Sequence, residues 1–98
     1  MFEIKIQDNG AKPCAYSLSE KFLRKETAFD RAVSLAESKV RVLTENCEDP
    51  LVSYGIPEGT DEYQSGISVA VEQYTLRDEY DDTGETNRVV TYSVEEFI

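Results

Sequence analysis

Thr27-Ala28-Phe29-Asp30-Arg31-Ala32-Val33-Ser34-Leu35-Ala36-Glu37-Ser38-Lys39-Val40-Arg41-Val42-Leu43 is the stretch that decides the fold. Ala28, Phe29, Ala32, Val33, Ala36, Val40 and Leu43 recur at helical spacing and form one apolar stripe. Asp30, Arg31, Ser34, Glu37 and Ser38 fall mostly outside it. Thr27 is the expected N-cap, with Asp30 three residues on to favour the exposed amides. Lys39 and Arg41 come late, where cations suit the negative end of the helix dipole. Asp49-Pro50 sets the outer limit, because a residue before proline avoids helical geometry.

Outward from this helix the pattern turns to strands. Phe2, Ile4 and Ile6 alternate with Glu3, Lys5 and Gln7, the period of a half-buried strand. Asp8-Asn9-Gly10 reads as a turn. Cys14 to Leu18 returns as a short strand, and Pro13 before it suits a sheet edge. Residues 19–25 form a short extra turn or a connection. After Pro50, residues 51–56 are a short strand and Pro57 to Glu62 a loop. Residues 67–76 form a strand in which Ile67, Val69 and Val71 share a face. Residues 77–87 are a polar hairpin connection with Gly84 near its return, and Arg88 to Val94 is the last strand. Ser93-Val94-Glu95-Glu96 has the spacing of a helix cap, so a short terminal helix is expected. The predicted class is α+β: one domain over residues 1–98, with an antiparallel sheet of four to five strands against one helix, order β-(β)-α-β-β-β.

Composition narrows the chemistry. The chain has 98 residues, two cysteines and no histidine. Without histidine there is no Ser-His or Cys-His nucleophile pair and no ordinary general base near neutral pH. Cys14 and Cys47 alone make a poor zinc site. The five glycines are scattered, so no phosphate-cradling loop is present. Asp78 to Glu85 lacks the ligand order of a calcium loop, since Tyr80 stands at its third position. The expectation is a binding protein with no catalytic residues, no metal and no cofactor. The alternating first residues read as a strand and not as a secretory leader, and no apolar run is long enough to span a bilayer. A cytoplasmic protein with reduced cysteines is therefore expected.

Charge is the most informative property. The net charge is −10, and it is segregated. Residues 1–43 hold eight Lys/Arg against six Asp/Glu, for +2. Residues 44–98 hold two Lys/Arg against fourteen Asp/Glu, for −12. Like charges about 7 Å apart in water repel by roughly 0.6 kcal/mol before screening. The crowding therefore opposes compaction, and a basic partner would relieve it.

The densest run is Asp78, Glu79, Asp81, Asp82 and Glu85, with Tyr80 inside it; Asp61 and Glu62 form a smaller group. These eight residues are the candidate partner-binding set, with Tyr63 and Tyr74 as further aromatic anchors. Carboxylates on alternate strand residues stand about 7 Å apart, and loops set them closer. Duplex DNA carries one charge per roughly 1.7 Å of axis, so such a hairpin can occupy a groove built for phosphates. Direct nucleic-acid binding is disfavoured, and Lys21, Arg24, Lys25 and Arg31 read as a solvated face.

Size, acidity and a single helix beside an antiparallel sheet together resemble the small phage-encoded anti-CRISPR proteins and other DNA mimics. The resemblance rests on the helix from Thr27 to Leu43, the strands 67–76 and 88–94, and the acidic loop 78–85, and on no shared motif. It implies binding to a bacterial CRISPR surveillance complex and a block on target-DNA recognition. Immunity proteins that neutralise basic toxin nucleases are the rival class. A phage accessory protein whose acidic surface serves only solubility is the third.

Overall fold

The computed structural model describes residues 1–10, 12–58, 66–76 and 84–97. Five strands and one helix follow in the order β1 (Phe2–Asp8), β2 (Cys14–Phe22), α1 (Lys25–Glu45), β3 (Val52–Gly55), β4 (Ser68–Leu76) and β5 (Gly84–Glu96). All strand pairings are antiparallel, and the sheet order is β2-β1-β5-β4-β3. The α+β class and the element order therefore match the sequence reading.

The alternation in β1 puts Ile4 and Ile6 into the core. Register carries that face across the sheet: Ile4 stands opposite Val94, Ile6 opposite Tyr92, and Tyr92 opposite Val69. Over it lies α1, whose fully buried residues are Ala28, Ala32 and Ala36. Methyl-sized side chains at this spacing let the helix axis come close to the sheet. Val33, Leu35, Val40 and Leu43 flank the contact, half-buried. The other sheet face is polar and carries ion pairs between neighbouring strands, including Lys5–Glu95 at 3.0 Å and Lys21–Glu3 at 2.8 Å.

The hairpin of β4 and β5 changes character along its length. Ser68 to Val71 are buried, whereas Glu72 to Thr75 are half-buried and Gly84 to Arg88 exposed. A register shift between Val71 and Glu72 marks the boundary. Beyond it β1 no longer pairs with β5, and the short β3 pairs with residues 72–75. The far half therefore projects, and the molecule measures 51 × 27 × 20 Å. Its radius of gyration is 14.7 Å, above the roughly 13 Å of a compact chain this long.

Several local expectations are corrected. The helix begins at Lys25, two residues before Thr27, which lies in its first turn. Arg24 is the N-cap, in extended geometry and without a side-chain cap bond. At the other end, the helix continues to Glu45, so Lys39 and Arg41 precede a last turn that holds no basic residue. Residues 19–22 belong to β2, which continues to Phe22 opposite Phe2. Ser93 to Glu96 remain in β5, with Val94 held against Ile4, and form no terminal helix. Residues 84–87 are strand and not connection, with Gly84 opposite Leu76. Ile67 precedes β4 and is 47% exposed, so it does not join Val69 and Val71 in the core.

Candidate functional site: the acidic end of the hairpin

Three parts of the chain meet where α1 stops. Glu45 is the last helical residue, and Glu48 and Asp49 follow in the loop to β3. Asp49 shapes that loop: its Oδ1 accepts from Leu51 N at 2.9 Å, and its carbonyl accepts from Val52 N at 3.1 Å. Cys47 Sγ lies 3.3 Å from the carbonyl oxygens of both Asp49 and Val52 and fixes the loop from inside. The end of β4 joins it, since Leu76 N donates to Leu51 O at 3.0 Å.

The start of β5 completes the end. Glu85 stands opposite Thr75, and Thr75 opposite Val52. Gly84 is required there, because a Cβ would come within 2.7 Å of the Thr75 carbonyl. Tyr74 lies half-buried beside Gly55, where a Cβ would meet its ring at 3.4 Å. Burial first, and the Glu72 carboxylate second, push the Tyr74 phenol above its usual pKa. Tyr74 thus packs on the sheet, with less free surface than a projecting anchor.

Of the residues singled out from the sequence, Glu85 is placed, exposed at this end. Asp78, Glu79, Tyr80, Asp81 and Asp82 lie outside the described residues, as do Asp61, Glu62 and Tyr63. Glu45, Glu48 and Asp49 stand close together in the sequence but outside that candidate set. Their place at the same end of the sheet as Glu85 depends on β3 returning along β4, which no local pattern announces.

Ion pairs match only some of the carboxylates: Asp8, Glu26, Asp30, Glu37, Glu58 and Glu96, elsewhere in the chain, have none among the described residues, and four at this end have none either. Among the described residues, Glu3, Glu20, Glu72 and Glu95 have ion-pair partners in Lys21, Arg31, Arg88 and Lys5. Glu45, Glu48, Asp49 and Glu85 form no ion pair among those residues. The carbonyl end of α1 adds partial negative charge at the same place, with no basic side chain in its last turn to offset it. Among the described residues, no three Asp, Glu or Cys side chains gather closely enough to hold a metal ion. None of their helices is long and apolar enough to cross a membrane.

No family model, curated protein or solved structure matches the chain.

Proposed function

We propose that the protein is a small acidic inhibitor that binds the basic, nucleic-acid-contacting surface of a partner protein. The favoured partner is a bacterial CRISPR surveillance complex, whose recognition of target DNA would be blocked by mimicry of phosphates. The observation that carries this reading is the uncompensated acidic end. Glu45, Glu48 and Asp49 at and after the end of α1, and Glu85 in β5 opposite Thr75, lie at one end of the sheet without ion-pair partners among the described residues. The run Asp78, Glu79, Asp81 and Asp82 lies between the strands that end and begin there.

Charge crowding of this kind weakens a fold unless some binding event favours it. A groove lined by Lys and Arg supplies such an event, with a fast, salt-sensitive association.

Affinity capture from bacterial lysate at low and high salt tests the proposal. The expected catch is a nucleic-acid-binding complex, displaced by duplex DNA and weakened by salt. Reversing Asp78, Glu79, Asp81 and Asp82 to Lys should abolish capture without lowering thermal stability. Capture indifferent to DNA and to these reversals would refute the proposal. A toxin nuclease as the captured protein would replace the CRISPR reading with that of an immunity protein.

A further inference from the structure

Asn9 and Gly10 follow β1 and stand exposed where the chain turns towards β2. Gly10 has no side chain to shield its main-chain nitrogen from the side-chain amide carbon of Asn9. The fold surrounds this pair with three contacts. Gly10 N donates to Asp8 Oδ1 at 2.9 Å, so a carboxylate is already seated on the proton which that nitrogen must lose to react. Gln7 Nε2 donates to Asn9 Oδ1 at 3.4 Å, which draws electrons from the side-chain carbonyl. Asn9 N donates to Val89 O at 2.8 Å, which anchors the residue to β5 while its side chain stays open to water.

The chain's other two asparagines have no such setting. Asn46 is the C-cap of α1, and the next nitrogen, Cys47 N, is spent on Thr44 O at 3.2 Å. A carbonyl oxygen holds an amide proton but is too weak a base to remove it. Asn87 lies within β5 opposite Gln73, and the long side chain of Arg88 follows it.

We infer that Asn9 is a self-modification site, at which the native chain deamidates through attack by Gly10 N. The proton on that nitrogen passes to Asp8. The nitrogen bonds to Asn9 Cγ, and the bond from Cγ to the side-chain nitrogen breaks. That side-chain nitrogen takes a proton back from Asp8 and leaves as ammonia, and a succinimide ring remains. Water then opens the ring at either carbonyl. Opening at Cγ leaves aspartate, and opening at the main-chain carbonyl leaves isoaspartate. Water is consumed and ammonia released, and nothing is oxidised or reduced. Each event adds one negative charge beside Asp8. The isoaspartate form also lengthens the main chain by one carbon just past the rung of Asp8 and Cys14, where β1 gives way to the turn.

Isoelectric focusing of the full chain stored at neutral pH tests this, with peptide mass mapping to place the change. A more acidic species should accumulate, carry aspartate and isoaspartate at residue 9, and retain Asn46 and Asn87. The native protein should age faster than the same chain held in urea, where the contacts of Asp8 and Gln7 are lost. Asp8→Asn keeps an oxygen for the Gly10 hydrogen bond but supplies no base. Its native rate should drop about tenfold, less than the ~100-fold of a positioned base in an enzyme, because Asp8 is only half-buried. In urea this variant and the parent should age alike, and circular dichroism in buffer should show both folded, which separates loss of the base from loss of structure. Gly10→Ala, whose Cβ would stand 3.1 Å from Asp8 Oδ1, should slow the reaction in buffer and in urea. A native protein that ages more slowly than the unfolded chain, or as fast after Asp8→Asn as before, would overturn the inference.

Discussion

The two halves of the β4–β5 hairpin share two strands and differ in almost everything else. From Ser68 to Val71 and from Val90 to Val94 the side chains that face α1 are apolar and buried. From Glu72 to Leu76 and from Gly84 to Arg88 they are half-buried or exposed, and polar residues predominate. The backbone ladder is continuous apart from one register shift. Pairing alone therefore does not make a core; what makes it is helix cover on one face and β1 on the far side of β5. The near half supplies stability, which leaves the far half free to carry charge that stability would not select.

The comparison can be broken most severely from the near half. Ile4 is fully buried opposite Val94, and Ile4→Ala should cost about 2–5 kcal/mol in urea unfolding. Leu76→Ala in the far half, at a side chain 41% exposed, should stay within about 0.5 kcal/mol. Equal losses would mean that the far half is as much core as the near one.

Next in size is the helix contact. Ala32 is completely buried, and Ala32→Leu should cost about 1–3 kcal/mol by lifting α1 from the sheet. A neutral result in thermal unfolding would show the alanine stripe to be loosely packed.

The smallest effect is one of pH. Burial, followed by the neighbouring Tyr16 and Asp8, raises the Tyr92 phenol above 10.0. The unfolded chain ionises there first, so this contribution is complete below pH 10 and declines as pH rises from 10 through the higher folded value. The thermal midpoint should fall more steeply above pH 10 in the unaltered protein than in Tyr92→Phe, and equal slopes would remove Tyr92 from the alkaline transition.

The sequence made the helix and its buried alanines legible because period and burial coincide there. It made β1 legible for the same reason at period two. Edge strand β2 was harder: Ser19, Glu20 and Lys21 face water on both sides, so no alternation marks them as strand. At Ser93-Val94-Glu95-Glu96 a capping pattern competed with sheet pairing, and the burial of Val94 against Ile4 prevails. Charge segregation was visible as a count along the chain. That Glu45, Glu48 and Asp49 share an end of the sheet with Glu85 was not, because it depends on the pairing of β3 with β4 and of β4 with β5.

The middle of the sheet is occupied by β1 and β5, joined from Phe2 opposite Glu96 to Asp8 opposite Val90. A growing chain makes β1 first and β5 last. During synthesis β1 therefore waits with one edge bare, and only when the last strand leaves the ribosome can the sheet close around it. Such long-range closure is slow compared with helix formation. The newborn chain thus passes through an interval in which an apolar strand edge is open to wrong partners. Residues 1–83, made before β5, already carry a net charge of −8, which repels unfinished copies from one another during that interval.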